Sequence, residues 1–548
     1  MVLSIAKPSG SFGSVGAGIL LALTLAACAP EQAATTLETT KPTEAQIQAQ
    51  ETRHNAILRT IRAGLSGIQQ RYIEPVYTDA LALGAVQGLA TIDPTFTVSE
   101  FDSAVHLHKA DNIIASHPRP LSKSPDDWTA LIVAMVEAAQ KHSDEFENID
   151  NERVFEAVFD GMLSGLDIYS RYAGADEARA NRARRDGFGG IDIRFANFQG
   201  DITITQVQDG GPADTAGIKK GDVILSVNGH KTPGLSVHKV ARLLRGPVDS
   251  HLTVHVKRIN ELPDLPERTI GFRVKRAHVV RQTVKAKTED DVLFLSVTGF
   301  NKKTAKTMRT ILKWNEDAIE NNALSGIVID LRGNPGGLLS QSVDVADLFL
   351  RDGRIIATRG RHPDSFHDYR AEGRDVAEGT PLVVLIDGGS ASAAELVAGA
   401  LQDLGRAVVV GSTSYGKGTV QTVLRLPNDG EITLTWSRLV TPSGYAIHGL
   451  GVQPSICSNR PTPYVKAPHL ANQTRIDQQR AVMVSWRKAG LAFDGRRAKL
   501  RESCPAKTFS TGASEDIWKG IAKTILNDPE LYHYALSPSN TSNTAERF

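Results

Sequence analysis

The sequence contains only three cysteines among 548 residues, which excludes a small scaffold held together by many disulfide bonds. It lacks the paired-cysteine zinc patterns and the metalloprotease helix in which two histidines flank a glutamate, so nothing indicates a metal site. The charges nearly balance, with 62 Lys and Arg against 61 Asp and Glu and a net charge of +1. A nucleic-acid partner is therefore not expected, and no cofactor is indicated.

Long hydrophobic runs are also absent, apart from one near the amino end. Val15–Ala27 is small and apolar behind Lys7, but its 13 residues fall short of the roughly 20 that cross a membrane. The run predicts a signal peptide over residues 1–27. It ends in Leu25-Ala-Ala-Cys28, which resembles the lipobox of bacterial lipoproteins; an ordinary cleaved signal is the alternative. The resemblance implies acylation of Cys28 and a periplasmic protein anchored by lipid to a bacterial cell-envelope membrane.

Residues 28–50 are rich in Thr, Glu, Gln, Ala and Pro and poor in large apolar residues, so we expect a flexible tether. The chain as a whole is 41% hydrophobic, enough to fill several cores, and its length suggests about three or four domains. Cys457 and Cys504 would meet an oxidising compartment if the protein is exported, which favours a disulfide bond between them. Two buried free thiols are the alternative.

Three regions of different character follow the tether. Apolar residues at a spacing of three to four predict a mostly helical region over residues 51–186. Short alternating segments separated by Gly, Pro and Asn predict a small β-rich domain over residues 187–277. Apolar runs short enough for buried strands, alternating with a helical stretch, predict an α/β domain over residues 278–457. The predicted fold class is multidomain α/β, with a C-terminal extension of unknown role over residues 458–548.

The β-rich domain begins with a glycine-rich loop, whose backbone amides could bind the carboxylate at the end of a peptide. The loop consists of Gly187, Phe188, Gly189, Gly190 and Ile191. A second run, from Gly211-Pro-Ala to Val227-Asn-Gly229, joins this loop, and together they resemble the PDZ domains of bacterial proteases. The alternative is a glycine-rich β domain that binds no ligand.

The α/β domain places a serine and a lysine beside glycine-rich turns. Ser392 would begin a helix, where free N–H groups and the helix dipole favour negative charge on an oxyanion. The amide of Ala393 is the local donor, and a glycine loop after the first strand candidate offers a second donor at Gly336 or Gly337. Lys417 could take the proton of a serine if burial keeps its amine neutral.

Each of these residues also has a plain structural interpretation. Ser392-Ala-Ala-Glu395 is a capping box, in which the serine only binds the first amides of its helix. Lys417 could be a solvated loop lysine, and Gln421 an ordinary polar residue on a strand face. On spacing alone, the capping interpretation of Ser392 is favoured.

Four ordered motifs nevertheless resemble the carboxyl-terminal processing peptidases, tail-specific serine proteases of the S41 family that carry a PDZ domain. The resemblance extends from about Asn151 to Pro454. It implies that Ser392 is the nucleophile, that Lys417, 25 residues later, is the general base, and that Gln421 positions the lysine. The motifs are Asp330-Leu-Arg-Gly-Asn-Pro-Gly-Gly337, Gly389-Ser-Ala-Ser-Ala-Ala-Glu395, Gln402-Asp-Leu-Gly-Arg-Ala407 and Tyr415-Gly-Lys-Gly-Thr-Val-Gln421.

Three further residues each have two competing roles. Ser390 is a rival nucleophile on the residues alone, but the family motif places the catalytic serine second in Ser390-Ala-Ser392. Asp403 lies 11 residues after Ser392, about 16 Å along a helix, so we expect it to be structural. Arg245 matches an Arg-Gly pair of the family and would help to hold the PDZ domain in one orientation; a surface arginine is an equal alternative.

The resemblance implies a serine endopeptidase that cleaves exported proteins after its PDZ domain binds their apolar carboxyl-terminal tails. The alternative is a catalytically silent or latent, lipid-anchored PDZ scaffold that needs a partner for activation. A homo-oligomer or an activating partner is open in either case. The extension contains one amphipathic helix, Glu515–Leu526, whose apolar face must dock on the protease core, on a second copy or on a partner.

Overall fold

The computed structural model of the chain describes residues 2–3, 44–146, 149–258, 268–458, 469–489, 495–508 and 513–536. Cys28, with most of the predicted signal peptide and tether, lies outside the described residues. After the two-residue strand β1 (Val2–Leu3), the first described element is helix α1 (Glu44–Arg71). Helix α1 begins inside the predicted tether, because its polar first turns continue into the apolar stripe that starts near Ile57.

The amino-terminal region combines helices with a small sheet, where the sequence predicted mostly helix. Its further elements are α2 (Thr78–Gln87), β2 (Phe96–Phe101), β3 (Ala104–Lys109), β4 (Asn112–Pro118), α3 (Pro125–His142), α4 (Asn151–Leu163), β5 (Arg171–Ala173) and α5 (Ala175–Asp186), with short 3₁₀ turns at Gly88–Thr91 and Asp144–Phe146. Strands β2, β3 and β4 form an antiparallel sheet, and β3 buries Val105 and Leu107 beneath the helices. This region shares one core with Ile432 and Leu434 of the α/β domain, so the two are packed together.

The β-rich domain is a compact sheet flanked by a short helix. Its elements are β6 (Phe188–Gly190), β7 (Ile193–Phe198), β8 (Asp201–Val207), α6 (Pro212–Thr215), β9 (Val223–Val227), β10 (His230–Lys231), α7 (Val237–Leu244), β11 (His251–Arg258), β12 (Arg268–Lys275) and β13 (Ala277–Val279). The sheet order is β12-β11-β9-β8-β7, with β10 on β9 and β7 at the edge. Alternate residues of β11 and β8, among them Val254 and Ile204, fill the core.

The α/β domain contains two sheets joined by one core. Its elements are β14 (Val284–Glu289), β15 (Val292–Val297), α8 (Thr304–Trp314), α9 (Glu316–Glu320), β16 (Gly326–Asp330), α10 (Leu339–Asp347), β17 (Arg354–Gly360), β18 (His367–Arg370), β19 (Leu382–Ile386), α11 (Ala393–Asp403), β20 (Val408–Gly411), β21 (Thr419–Arg425), β22 (Glu431–Val440) and β23 (Ile456–Cys457), with a 3₁₀ turn at Pro363–Ser365. One sheet has the order β14-β15-β16-β19-β20-β23 and is parallel from β15 onwards. The other has the order β1-β21-β22-β17-β18, and β5 adds to β22.

The C-terminal extension covers the parallel sheet. Its helices are α12 (His469–Arg487), α13 (Gly495–Arg501), α14 (Ala513–Leu526) and α15 (Pro529–Leu536). Residues of the parallel strands alternate between two cores: Leu293 lies in the core that contains α11, whereas Phe294 lies in the core that contains α14 and α15. Helix α14 buries Trp518 in this second core, so of the three predicted docking partners it uses the core of the α/β domain. Without the extension, one apolar face of a parallel sheet would be exposed.

The structure also places Cys457 and Cys504 in a disulfide bond with their Cα atoms 5.9 Å apart. The bond joins the last strand of the parallel sheet to the residues just after α13, and so it ties the extension to the core. Among the described helices, none combines the length and the apolar character that a membrane crossing requires.

Candidate active site

Ser392 occupies a sharp turn between the buried strand β19 and helix α11. Its backbone has φ 57° and ψ −111°, a left-handed conformation that a residue with a side chain rarely adopts. Such a conformation costs roughly 1–3 kcal/mol and persists only where the surroundings enforce it. The hydroxyl of Ser392 is buried at the first turn of the helix, in the arrangement of the predicted capping box with Glu395. It nevertheless makes no complete hydrogen bond to any described residue, so the structure leaves this hydroxyl uncommitted.

Ser390, the rival nucleophile, is in the opposite situation. Its hydroxyl donates to the carbonyl oxygen of Leu331 at 2.8 Å and accepts from the amide of Asp387 at 2.9 Å. These bonds join the turn before Ser392 to the end of strand β16. Ser390 thus holds the turn in place, which favours Ser392 as the nucleophile.

Glu395 connects the serine turn to the lysine loop. Its fully buried carboxylate accepts hydrogen bonds from the amides of Ser392 at 2.7 Å, Gly416 at 2.6 Å and Lys417 at 2.9 Å. The hydroxyl of Ser414 adds a fourth bond at 2.5 Å. Burial raises the pKa of Glu395, while the hydrogen bonds from these four donors oppose that rise. The sequence placed Glu395 only in a capping box, and its bonds to the lysine loop were missed because they involve residues about 20 positions away.

Lys417 lies in the turn that enters strand β21, with glycines on both sides. A Cβ atom on Gly418 would lie 2.1 Å from the amide nitrogen of His448, so only glycine fits this close approach. The amine of Lys417 is 4.8 Å from the ring centroid of Tyr169. Burial lowers the pKa of Lys417 from 10.5 to about 8, and the positive charge of Arg171 acts in the same direction. The neutral amine that a general base requires is therefore accessible near neutral pH.

Asp167 and Glu395 act against this shift, because negative charge favours the ammonium form of Lys417. The lower pKa shows that desolvation outweighs both carboxylates. The lysine is therefore partly buried rather than the solvated loop residue of the structural alternative.

Gln421 lies on strand β21, next to a register shift in its pairing with β22. Its side-chain amide donates to the hydroxyls of Thr419 at 2.9 Å and Thr435 at 3.3 Å. The side-chain oxygen is buried and has no partner in the described part of the chain. An acceptor left open in this way suits an ammonium group, and the role of Gln421 in positioning Lys417 stays a prediction.

The glycine loop after strand β16 lies against the serine turn, as expected. A Cβ atom on Gly336 would be 2.9 Å from the Cβ of Ser392, so this glycine permits the close approach. The amide of Gly336, however, donates to the side-chain oxygen of Asn334 at 2.8 Å and is not free for an oxyanion. The expectation for Gly336 is therefore corrected, and Ala393 and Gly337 are left as the candidate donors. The amide of Ala393 belongs to the first turn of α11, where backbone amides have no carbonyl acceptor within the helix.

The predicted ligand loop of the β-rich domain is partly a strand. Phe188, Gly189 and Gly190 form β6 and pair with the antiparallel strand β13, which the sequence did not indicate. Ile191 is buried in the core of the domain, so its side chain cannot be a ligand contact. The guanidinium group of Arg245 lies 4.3 Å from the ring centroid of Phe188. Arg245 is thus packed on the loop instead of projecting as a surface arginine.

Asp403 has a structural role. Asp403 accepts from the amide and the hydroxyl of Ser443, at 3.0 and 2.6 Å, and forms a buried ion pair with Arg487 at 2.7 Å. It therefore joins helix α11 to helix α12 of the extension, as a structural residue would. In the described residues, no group of three or more His, Cys, Asp or Glu side chains could hold a metal ion.

Comparison with known proteins gives two family matches within the chain. Residues 291–458 match the model of peptidase family S41, and residues 203–258 match that of the PDZ domain. The first match contains the serine turn, the lysine loop and the glycine loop at Gly336 and Gly337. The second covers most of the β-rich sheet.

Curated relatives extend over more of the chain. A carboxy-terminal-processing protease of Bartonella bacilliformis is 36% identical over 315 residues, which cover 57% of this chain and 71% of the relative. The carboxy-terminal processing protease CtpA of Bacillus subtilis is 30% identical over 334 residues, covering 60% and 69%. Among solved structures, a photosystem II D1 C-terminal processing protease is 24% identical, with a TM-score of 0.34 and coverage of 69% of this chain and 92% of that one.

Proposed function

The chain belongs to the carboxy-terminal processing proteases of peptidase family S41, which are serine peptidases, and we propose that it cleaves its substrates with a Ser392–Lys417 dyad assisted by Gln421. In the first step the neutral amine of Lys417 takes the proton of the Ser392 hydroxyl, and the oxygen attacks a peptide carbonyl. The resulting ammonium gives its proton to the leaving amine. Water, deprotonated by the same lysine, then attacks the ester; the acyl group leaves as the carboxyl end of the product, and the lysine returns the proton to the Ser392 oxygen.

The observation that carries this proposal is the position of Glu395. One buried carboxylate accepts the amides of both Ser392 and Lys417, so the nucleophile turn and the base loop are held on a single group. The uncommitted hydroxyl of Ser392 and the lowered pKa of Lys417 support the same assignment. A capping serine and a solvated lysine would require neither feature.

Charge that develops on the carbonyl oxygen needs preorganised donors. The amides of Ala393 and Gly337 are the proposed pair, because the first begins helix α11 and the second lies in the glycine loop beside Ser392. The buried oxygen of Gln421 would accept a hydrogen bond from the ammonium of Lys417 once it has taken the proton. Gln421 would then stabilise the charged base during attack.

The PDZ domain is the proposed site of substrate choice. Strand β7 is an edge strand, so the extended tail of a substrate can pair with its outer edge as a further strand of the sheet. Gly187 and the β6 residues stand at the start of this strand, where the carboxylate of the tail would bind. We propose tails with apolar last residues as the ligands, and Arg245, stacked on Phe188, as the residue that links this loop to the helix α7 side of the domain.

We also propose an envelope location. The residues that support it are the apolar run before Cys28 and the Leu-Ala-Ala-Cys sequence at its end. Acylation of Cys28 would anchor the protein to a bacterial cell-envelope membrane. Mass spectrometry of the amino-terminal peptide, isolated from envelopes that contain either the parent or the Cys28→Ser variant, tests this: a lipid-modified Cys28 is expected in the parent, and an unmodified residue there rules the anchor out.

Cleavage is tested with an unfolded protein that ends in apolar residues and with the same protein ending in charged residues. We expect the parent to cleave the apolar-tailed substrate faster, and Ser392→Ala and Lys417→Ala to lose activity while keeping their far-UV circular dichroism. Ser390→Ala is the matched control: it should lose stability but keep measurable cleavage. Cleavage by folded Ser392→Ala or Lys417→Ala would refute the dyad. Tail binding without cleavage by the parent would instead identify a silent or latent scaffold.

A further inference from the structure

A segment that precedes the PDZ domain forms one wall of the active site. It connects helix α4 to strand β5, and its side chains are held by a turn around Asp167. The carboxylate of Asp167 accepts the amides of Tyr169 at 2.7 Å and Ser170 at 3.0 Å, and the hydroxyl of Ser170 at 2.7 Å. The hydroxyl of Thr435 on β22 donates to the same carboxylate at 3.1 Å. The turn is therefore fixed to the sheet that carries Gln421.

This turn presents the ring of Tyr169 to the proposed base. The amine of Lys417 lies 4.8 Å from the ring centroid, within the range of a cation–π contact. The ring of His448 meets Tyr169 edge-on, with the centroids 6.2 Å apart. Burial raises the pKa of Tyr169 to about 12, and the neighbouring Tyr415 acts in the same direction. The phenol is therefore neutral at the pH values at which a protease of this kind would work.

An aromatic ring at this distance has two opposing effects on a lysine. Its face attracts the ammonium form, while its bulk removes water from the amine and so disfavours the same form. The net outcome at Lys417 is a pKa lowered to about 8, with burial as the largest cause. Tyr169 contributes to that burial directly, because its ring lies over the amine.

The charged groups around Lys417 come from separate elements. Arg171 lies on β5, Asp167 in the turn before it, and Glu395 on α11. Of these, only Arg171 favours the neutral amine, and its side chain is exposed, so solvent screens its charge. The two carboxylates act in the opposite direction. Electrostatic neighbours therefore do not explain a neutral lysine, and exclusion of water has to.

We propose that Tyr169 is a positioning residue for the general base, holding the Lys417 side chain in its buried position and shielding the amine from water. The proposal rests on Lys417 being the base, as proposed above. It adds a role for a residue that lies 248 positions before the lysine and outside both matched family segments.

The test compares kcat and KM of the parent, Tyr169→Ala and Tyr169→Phe from about pH 6 to pH 10.5 on the apolar-tailed substrate. For Tyr169→Ala we expect the acidic limb of the kcat/KM profile to move to higher pH by about one unit. The kcat/KM of the variant should therefore be roughly tenfold below that of the parent at pH 7 and nearly equal to it near pH 10. Its KM should change less than about twofold. Tyr169→Phe keeps the ring, so its limb should stay within about half a unit of the parent's. Tyr77→Ala, at an exposed tyrosine of the same region, is the matched control.

A purely structural defect in Tyr169→Ala predicts that activity falls by the same factor at every pH and that the acidic limb of kcat/KM keeps the parent's midpoint. Either result would overturn the role of Tyr169. If Tyr169→Ala does not fold by circular dichroism, Tyr169→Val carries the same expectation, because its shorter side chain also uncovers the amine. Failure of the dyad itself gives a different result: a folded Lys417→Ala protein that still cleaves. The two hypotheses can therefore fail separately.

Discussion

Replacing Glu395 by glutamine tests whether one buried carboxylate holds the nucleophile and the base together. Glutamine keeps the shape of the side chain but replaces one carboxylate oxygen with an NH₂ group. Each carboxylate oxygen now accepts two bonds: one receives the amides of Ser392 and Lys417, and the other the amide of Gly416 and the hydroxyl of Ser414. The hydroxyl can turn to accept from an NH₂ group, but an amide cannot.

The least damaging orientation of the glutamine therefore directs its NH₂ group at Ser414 and Gly416. That orientation leaves the Gly416 amide unpaired in a buried site, which costs about 1–3 kcal/mol, and it weakens the charge-assisted bonds to the remaining donors. The opposite orientation leaves the amides of Ser392 and Lys417 both unpaired and costs about twice as much. We expect Glu395→Gln to fold, to lose about 2–4 kcal/mol of stability, and to reposition the Lys417 loop.

The assay is steady-state cleavage of the apolar-tailed substrate, together with thermal unfolding of the same samples. Because substrate tails would bind the PDZ domain and not this carboxylate, kcat should fall about 100-fold or more while KM changes little. Glu320→Gln, at an exposed glutamate near the end of helix α9, should match the parent in both measurements. If Glu395→Gln kept the parent's kcat and melting temperature, the linking role of the carboxylate would be refuted.

Three further predictions follow from the same geometry. With the pKa of Lys417 near 8, the neutral fraction of its amine rises from about 0.09 at pH 7 to about 0.91 at pH 9, so kcat/KM should rise about tenfold over that interval. Loss of the Cys457–Cys504 bond, by reduction or by Cys504→Ser, opens a loop of 47 residues and should lower the stability by about 2–4 kcal/mol, seen as a lower melting temperature. Trp518→Ala removes the largest side chain between α14 and the sheet and should cost about 3–5 kcal/mol in denaturant unfolding.

Each of these has a result that contradicts it. A kcat/KM that is flat between pH 7 and pH 9 would show that the lysine is not the titrating base. A melting temperature that does not change on reduction would show that the bond contributes nothing to stability. For Trp518→Ala, the exposed Trp314→Ala is the control, and equal stability of the two variants would show that α14 is not docked on the sheet.

The parts of the fold that the sequence predicted are those whose signal is local. A continuous apolar run such as Leu382–Ile386 can only be a buried strand or a buried helix, and its length of five favours the strand. The three strands β2, β3 and β4 were missed because each is short and only partly buried, and because strongly helical segments surround them. The turn at Asp102 and Ser103, both with positive φ, carries no glycine to mark a hairpin.

In the candidate site, too, the residues with a local sequence signal were predicted and those that depend on distant contacts were not. Ser392 and Lys417 stand in motifs of a few residues, which single them out once they are compared with a known family; the residues alone favoured a helix cap at Ser392. The sequence also offered Gly336 as an oxyanion donor, because it cannot show that Asn334 already accepts that amide. Tyr169 lies 248 residues from the lysine it covers, and no spacing rule relates two such positions. The sequence did not predict which surface α14 docks on, for a similar reason: an apolar helix face shows that a partner exists but not which one.

The surroundings of Lys417, the proposed base, come from the amino-terminal region, the α/β domain and the C-terminal extension. In the extension, Arg501 donates to the carbonyl oxygens of Ser414 and Leu450, and the buried Arg497 donates to those of Ala446 and His448. These carbonyls belong to the lysine loop and to the segment that Gly418 approaches. In the proposed mechanism Lys417 stays neutral only while its surroundings exclude water, and Tyr169 and Arg501, which pack around its side chain and its loop, precede and follow the segment that matches family S41. We therefore expect residues 291–458 alone to hold the proposed reacting groups without all of the surroundings that lower the pKa of Lys417.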